Sequence, residues 1–296
     1  MCLPIVMLMK QYKNIPIWNL WWVLYGTWTA EISQSWILLN TYTFWLTWGS
    51  VSIAFDWINM WVTNLNDNSI SKVDPTWVFV TYPWFNGPFG IAFDWVNMWV
   101  TNFNWGTVNK VDPTWTIIGT YSSWINHPRW IAFDWTNMWV VNQWANSVTR
   151  ITPSWVMNTY TNVTLSIAEC IAFDWTNMWV TWFNGHYSKI SSSWTITKYA
   201  GAWDNTFWIT FDWTNMWISW NNLVSVISTS WTLLNTYTWN ITNSIMAFDW
   251  VDMWWSYNND IVKVDSSWTF TNYTIWVILW DIAFDWCLLS HWWGWS

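Results

Sequence analysis

The chain has 296 residues, enough for one large all-β domain or two smaller ones with a sizeable core. Charged residues make up only 9%, and 17 acidic against 9 basic residues give a net charge of −8. This balance argues against a nucleic-acid-binding protein, which needs a basic face to neutralise phosphates. The composition is also unusual, because 42 tryptophans accompany only 9 glycines.

The cysteines and the apolar runs exclude several further classes. Cys2, Cys170 and Cys287 are too few and too scattered for a disulfide framework or a zinc site. No run of 18 apolar residues occurs, so no membrane-spanning segment is predicted. The first residues, MCLPIVMLMKQYK, lack the order and cleavage site of a signal peptide. We therefore expect either a late assigned start or a fragment of a longer surface protein.

A repeated unit organises the rest of the chain. The string IAFDW-x-NMW, its variants ITFDWTNMW and MAFDWVDMW, and a final shortened IAFDW begin at Ile53, Ile91, Ile131, Ile171, Ile209, Met246 and Ile282. The starts are 38, 40, 40, 38, 37 and 36 residues apart. Such a period is typical of repeat architectures.

Each unit is predicted to contain four short strands. In residues 91–130, IAFD, MWVTN, TVNKVD and TIIGTY are rich in β-branched and aromatic residues, and Asp, Asn, Pro and Gly turns separate them. Four strands in about 40 residues match the blade of a β-propeller. The fold class is therefore all-β, with four-stranded antiparallel blades.

The number of blades follows from the two ends of the chain. Segments 19–23, 29–33 and 37–43 match the second, third and fourth strands of a unit, and the unit at 282 supplies only a first strand. We therefore expect residues 19–52 to complete the last blade, giving a single seven-bladed propeller over 19–286 with one blade shared between the termini. Residues 1–18 and 287–296 are an N-terminal segment of unclear status and a C-terminal tail.

The repeated tryptophans fall into three classes. One class follows Asn-Met or Asp-Met inside a strand, where a half-buried aromatic is ordinary: Trp61, Trp99, Trp139, Trp179, Trp217 and Trp254. A second occupies the first turn: Trp57, Trp95, Trp135, Trp175, Trp213, Trp250 and Trp286. A third occupies the second turn: Trp36, Trp77, Trp115, Trp155, Trp194, Trp231 and Trp268. Glycine is expected at both turns, because tight hairpins often need positive φ.

These turns suggest that most of the tryptophans are glycines written in the wrong genetic code. The codon UGA is read as glycine in some bacterial lineages and as tryptophan in others. Gly90, which precedes one repeat, is replaced by Trp130, Trp208 or Cys170 before others. The alternative is a genuinely tryptophan-rich propeller that binds glycans on its indole-lined face.

With glycine in the turns, a unit reads close to IAFDGTNMWVTN followed by SVSKVDPTGT. This resembles the YVTN/NHL-type β-propeller repeats of bacteria, which are related to the streptogramin B lyase fold. The resemblance implies the propeller fold, a position outside the cytoplasm or at the cell surface, and many different roles. The tryptophan turns and the missing secretion signal depart from it.

Two sets of repeated charges are interpreted as structural. The aspartates of the first turns, Asp56, Asp94, Asp134, Asp174, Asp212, Asp249 and Asp285, are expected to cap their own turns rather than bind metal. The neighbouring Asn59, Asn97, Asn137, Asn177 and Asn215 are interpreted in the same way. The basic residues of the third strands, Lys72, Lys110, Arg150, Lys189 and Lys263, are expected to form a solvated outer belt.

The remaining candidates lie in loops that should share one face. In an up-and-down blade, the loops between units and those between strands two and three emerge together. Candidate ligand-binding residues there are Asn126, His127, Arg129, Asn184, His186 and Tyr187. Glu169 lies in the next loop between units.

The function expected is a non-catalytic interaction module that presents these loops to an unknown protein or glycan, with no cofactor or metal. The competing interpretation is a lyase-like enzyme that opens a lactone ring with Mg²⁺, using His127, Glu169 and His186. The enzyme reading predicts that His127→Ala or His186→Ala abolishes turnover. Detectable ligand binding without turnover would contradict it.

Overall fold

A computed structural model describes most of the repeated region and short parts of both ends. The described residues are 6–7, 19–24, 29–32, 38–42, 50–74, 78–161, 167–193, 195–200, 206–220, 223–238, 246–248, 251–257, 260–274 and 279–285. All regular structure in these residues is β-strand, as the sequence predicts, and none of it is a helix long and apolar enough to cross a membrane.

Six consecutive four-stranded antiparallel blades form within the described residues. Blade 1 is β5 (Ser50–Phe55), β6 (Met60–Asn64), β7 (Ser69–Val73) and β8 (Phe79–Tyr82); blade 2 is β9 (Pro88–Phe93), β10 (Met98–Asn102), β11 (Thr107–Val111) and β12 (Ile117–Tyr121); blade 3 is β13 (Pro128–Phe133), β14 (Met138–Asn142), β15 (Ser147–Ile151) and β16 (Met157–Thr161). Blade 4 is β17 (Ala168–Phe173), β18 (Met178–Trp182), β19 (His186–Ile190) and β20 (Ile196–Ala200); blade 5 is β21 (Thr206–Phe211), β22 (Asn215–Trp220), β23 (Leu223–Ser228) and β24 (Leu233–Thr238); blade 6 is β25 (Met246–Phe248), β26 (Met253–Tyr257), β27 (Asp260–Val264) and β28 (Phe270–Thr274).

The predicted seventh blade is wrong. The remaining described strands are β1 (Val6–Met7), β2 (Asn19–Leu24), β3 (Thr29–Ile32), β4 (Leu38–Tyr42) and β29 (Leu279–Asp285). The two ends of the chain do pair, because β2 and β29 are antiparallel neighbours. However, β3 and β4 form a separate sheet with β1, whose Val6 and Met7 pair in parallel with Thr29 and Ala30. Since β4 bonds to the other edge of β3, β1 occupies the edge that β2 would need.

The core lies between blades, because each sheet packs both of its faces against a neighbour. All five residues of the second strand are buried in blades 1 to 4. Trp139 and Val148 of blade 3, for example, pack in one cluster with Met178 and Val180 of blade 4. The fourth strand is the outer edge and is largely exposed.

The first strand of blades 1 to 5 starts earlier than the repeated motif suggests. In blade 2, Ile91 pairs with Val100 and Pro88 pairs with Asn102, so two residues of β9 face one of β10 between these pairs. The extra residue is a β-bulge, and the same shift occurs in blades 1, 3, 4 and 5. Bulges redirect side chains near sites of function.

Candidate ligand-binding site

The loops between blades and the loops between strands two and three do share one face. Backbone hydrogen bonds join them: the amide of Phe103 donates to the carbonyl of Gly87 at 2.8 Å, and that of Gln143 donates to His127 at 3.1 Å. We call this end of the propeller the loop face. The tight turns that join strands one to two and three to four lie at the opposite end, the turn face.

The repeated aspartates of blades 1 to 5 cap their own turns, as predicted, whereas Asp249 lies outside the described residues. Oδ1 of Asp94 accepts the amides of Val96 at 3.0 Å and Asn97 at 2.6 Å, while Oδ2 accepts the indole N–H of Trp99 at 2.7 Å. Burial acts to raise the pKa of Asp94, but hydrogen bonds from Trp99, Lys110 and the turn amides together lower it. The other described first-turn aspartates with the same indole bond are Asp56, Asp134, Asp174 and Asp212.

The expectation of a solvated basic belt is wrong. The basic residues of the third strands are half-buried, and each lies over the indole of the strand tryptophan with which it pairs. The distances to the ring centroids are 4.8 to 5.9 Å for Lys72, Lys110, Arg150, Lys189 and Lys263. Lys110 also pairs with Asp94 at 2.9 Å. These contacts are cation–π interactions inside the blade stack.

The turn tryptophans have the positive φ values that the sequence predicts. In the first turns φ lies between 70° and 74° at Trp57, Trp95, Trp135, Trp175 and Trp213. In the second turns φ lies between 65° and 77° at Trp115, Trp155, Trp231 and Trp268. The predictions for Trp36, Trp77, Trp194, Trp250 and Trp286 fall outside the described residues. The left-handed region costs a residue with a side chain about 1–2 kcal/mol.

The first-turn indoles form a stacked collar on the turn face. Trp57, Trp95, Trp135 and Trp175 stack in sequence with ring centroids 4.7 to 4.9 Å apart, and Trp213 packs at a tilt against the last. With the phenylalanines that precede them by two residues, they line a cavity of about 470 Å³. The indoles cover much of one another's flat faces.

A charged pair lies in the bulges of blades 3 and 4 near the loop face. Nη1 of Arg129 donates to Oε2 of Glu169 at 2.5 Å. Glu169 is buried, whereas Arg129 is half-buried. Burial raises the pKa of Glu169 above its usual value, although Arg129 and a hydrogen bond from Gln143 oppose the shift. Thr101 of blade 2 fixes this bulge by donating to the carbonyl of Arg129 at 2.7 Å.

Aromatic rings extend the charged pair toward solvent. The guanidinium of Arg129 lies 4.7 Å from the ring centroid of Phe89, which is also next to Phe103. The imidazole of His127 contacts Phe103 edge-on at 4.9 Å and stacks on Trp144 at 3.8 Å. Trp144 is 67% exposed. The chain of contacts from Glu169 to Trp144 forms one patch across blades 2 to 4, which we call the loop-face cluster.

The structure brings together some of the predicted site residues and separates others. Asn126 joins the cluster through its side-chain oxygen, 2.7 Å from Nδ1 of His127. His186 instead contacts the carbonyl of Asn184 at 2.9 Å, within the next blade. Tyr187 is buried between blades and stacks on Trp231, so it does not face the loops.

Sequence reasoning missed Phe89, Phe103, Gln143 and Trp144. Phe89 had a usable signal, because it occupies the same bulge position as Arg129 and Glu169 relative to the repeated Ile. The corresponding residues in blades 1 and 5 are Val51 and Phe207. The ion pair therefore replaces apolar side chains at this register position.

The described residues do not fit the divalent metal of the lyase interpretation. No group of three or more His, Cys, Asp or Glu side chains that could hold a metal occurs among them. The capping aspartates accept hydrogen bonds from their own turns, and Glu169 accepts from Arg129 and Gln143.

Comparisons with known proteins identify the fold. A streptogramin B lyase structure superposes with a TM-score of 0.74 at 16% identity, covering 90% of this chain and 93% of that one. A catalytically inactive virginiamycin B lyase from Staphylococcus aureus with quinupristin gives 0.68 at 18% identity, covering 77% and 84%. A nidogen/laminin complex gives 0.54 at 14% identity, covering 64% and 80%. No family model and no curated protein matches the chain. The likeness shows a β-propeller related in shape to streptogramin B lyases and to propellers that bind proteins.

Proposed function

We propose that this propeller is a non-catalytic binding module that presents its loop face to a protein or glycan partner. The observation that carries the proposal is the loop-face cluster, where charged and aromatic side chains interrupt the repeat at the bulges of adjoining blades. Polar groups set among exposed aromatic side chains are typical of interaction sites. The resemblance to bacterial YVTN/NHL repeats supports a place outside the cytoplasm or at the cell surface.

A photo-crosslinking comparison tests the binding role. A crosslinking amino acid at exposed Ser123 would sample the loop face, and one at exposed Thr176 would sample the turn face as a matched control. We expect a discrete adduct with material from the native source at 123 only, competed away by excess unlabelled protein. Equal adducts at both positions, or none, would contradict the proposal.

The lyase alternative is favoured by the structural neighbours alone. In the described contacts His127 is bonded to Asn126 and His186 to Asn184, and neither histidine is bonded to a carboxylate. We therefore expect no ring opening when the protein is incubated with quinupristin and Mg²⁺ and followed by mass spectrometry. Ring opening that is lost in His127→Ala or His186→Ala would replace the binding module with the enzyme.

We also propose that most turn tryptophans are UGA-encoded glycines in the native protein. Besides the positive φ values, the second-turn indoles are crowded: Trp115 lies 3.3 Å from Tyr82 and Trp231 lies 3.2 Å from Tyr199, centroid to centroid. Favourable aromatic pairs have centroids about 4.5–7 Å apart. A Cβ on Gly90 would overlap the carbonyl oxygen of Arg129, so the blades approach closely at this register position.

Peptide sequencing by mass spectrometry of protein from its native source tests this recoding. The segment FDWTNMW of blade 3 contains a turn position, 135, and a strand position, 139. We expect glycine at 135 and tryptophan at 139, because the indole of Trp139 donates to Asp134 at 2.6 Å. Tryptophan at both positions would refute the recoding and make the turn-face collar the leading candidate for glycan binding.

A further inference from the structure

The guanidinium of Arg129 has hydrogen-bonding capacity that the fold does not use. A guanidinium carries five N–H donors in a planar fork. One of them bonds to Glu169, and the flat face lies over Phe89. The side chain of Arg129 remains 23% exposed, compared with 11% for that of Glu169. Arg129 therefore faces solvent with donors available, held in place by Glu169 and Phe89.

We propose that the loop-face cluster binds a carboxylate carried on an aromatic or apolar group, with Arg129 as the anchor for the carboxylate. This inference deepens the proposed binding function and rests on it. It names the ligand chemistry of the same face: an organic acid, presented either as a small molecule or as the C-terminus of a peptide.

The charge chemistry favours a carboxylate. The guanidinium fork matches the two oxygens of a carboxylate, and such charge-assisted bonds are stronger than neutral ones. Glu169 already shows that a carboxylate fits against Arg129 with an N–O distance of 2.5 Å. Because Gln143 also bonds to Glu169, that carboxylate is held from two sides and keeps Arg129 oriented.

The neighbouring rings favour an apolar body on the ligand. Phe89, Phe103, His127 and Trp144 form a continuous series of ring contacts that begins beneath the guanidinium. A ring or alkyl group attached to the carboxylate can pack against this series while the acid reaches Arg129. If Trp144 is one of the recoded glycines, only the last ring of the series is lost, and Phe89, Phe103 and His127 still lie beside Arg129.

A purely structural role, in which the Arg129–Glu169 ion pair only holds blades 3 and 4 together, does not account for its presence. Blades 1 and 2 adjoin with Val51 and Phe89 at the same register position, both buried and uncharged. Neighbouring blades therefore pack without an ion pair there. Buried ion pairs are also a poor source of net stability, because desolvation offsets their attraction.

Binding of two probes by the full-length protein tests the inference. Isothermal titration and ligand-observed NMR would compare 3-phenylpropionate with 3-phenylpropanamide, which has the same shape without the charge. We expect the acid to bind and the amide to bind at least tenfold more weakly. Absence of acid binding at millimolar concentration, or equal binding of the two, would overturn the proposal.

Three variants separate ligand contact from general charge and folding effects. Arg129→Met should weaken acid binding at least tenfold, whereas Lys72→Met, which removes the same charge from the turn-face end of β7, should leave it unchanged. Glu169→Gln removes the competing charge but keeps an amide oxygen that can accept from Arg129 and hold it in place, so this variant should bind the acid at least as tightly as the parent. All three would first be compared by circular dichroism. If Glu169→Gln is folded but loses binding, or Arg129→Met retains it, the assignment is wrong.

Two further comparisons identify the source of the carboxylate and distinguish a failure of the carboxylate site from a failure of the proposed binding function. A peptide ending in a free phenylalanine carboxylate would be compared with its C-terminal amide and with the small acid. Tighter binding of the free-acid peptide supports a protein terminus, and equal binding supports a small molecule. If Ser123 crosslinks a partner but no acid binds, the binding module stands and the carboxylate site fails.

Discussion

Replacing the five described first-turn tryptophans by glycine should give a more stable protein than replacing the same five by alanine. These residues, Trp57, Trp95, Trp135, Trp175 and Trp213, have φ between 70° and 74°. Both substitutions remove the indole and its stacking, so the comparison isolates the backbone. Alanine retains the strain of the left-handed region, whereas glycine does not.

The size of the difference follows from two opposing terms. The left-handed conformation destabilises the alanine variant by about 1–2 kcal/mol per site. The greater conformational freedom of its unfolded chain destabilises the glycine variant by about 0.4–1 kcal/mol per site. The net advantage of glycine is about 0.8 kcal/mol per site and about 4 kcal/mol for five sites, if the sites add. Urea unfolding followed by far-ultraviolet circular dichroism would measure it as a shift in midpoint at constant slope.

The same exchange in a strand provides the control. Trp99 lies in the extended strand β10, where alanine should be more stable than glycine by about 0.5–1 kcal/mol. The order of the two variants should therefore reverse between the turn and the strand. An alanine set at the turns that is as stable as the glycine set would refute the argument from positive φ.

Three further variants have expected outcomes that urea midpoints can check. The pKa of Asp94 is lowered in the folded protein, so its ionised carboxylate stabilises the fold above the unfolded pKa of about 3.9, and this stabilisation is lost as pH falls through the folded pKa. Asp94→Asn should therefore weaken the dependence of the free energy of unfolding on pH in acid. The pKa of Glu169 is raised in the folded protein, so this residue favours the fold at low pH, and that stabilisation is lost as pH rises through the folded pKa. Glu169→Gln should therefore remove a decline in the free energy of unfolding above the unfolded pKa of about 4.3. Thr101→Val should lose about 1–3 kcal/mol, because the carbonyl of Arg129 loses a donor and the buried amide of Gly90 loses an acceptor. Blade 3 already carries Val141 at that position, so the variant should still fold.

The repeat predicts the blades well because each one is built from local signals. Alternating β-branched and aromatic residues mark the strands, and Asp and Asn mark the turns, as the hydrogen bonds of Asp94 confirm. The terminal sheets could not be predicted in this way. Their arrangement depends on β1, a strand of only two residues, Val6 and Met7, which carries no period and pairs with a distant segment.

The third-strand cations illustrate a different limit of sequence reasoning. Alternation with Val or Ile correctly predicts that Lys72 and Lys110 face away from their apolar neighbours. In a single sheet that direction would be solvent. In a propeller that face packs against the next blade, so Lys72 lies between the indole of Trp61 in its own blade and that of Trp115 in blade 2.

The loop-face site was only partly predictable for a related reason. His127, Arg129 and Glu169 stand out because charged residues are rare in this chain. Phe89 and Phe103 do not stand out, since aromatic side chains are common throughout the repeats. Their role depends on the bulge, which turns Phe89 toward the guanidinium of Arg129, and a bulge is visible only in the pairing of β9 with β10.

The contacts of the tryptophans separate two populations that composition alone cannot distinguish. Strand indoles such as Trp99 are tied into the blade by Asp94 and Lys110, so removing them takes a hydrogen-bond donor from the carboxylate of Asp94 and the ring from beneath the ammonium of Lys110. First-turn indoles such as Trp95 stack on one another across the turn face, outside the hydrogen-bonded interior of the blades. A chain with glycine at these turns would therefore keep its blade interiors and its loop-face cluster. The Arg129–Glu169 pair and the neighbouring rings of Phe89, Phe103 and His127 are accordingly present under either genetic code.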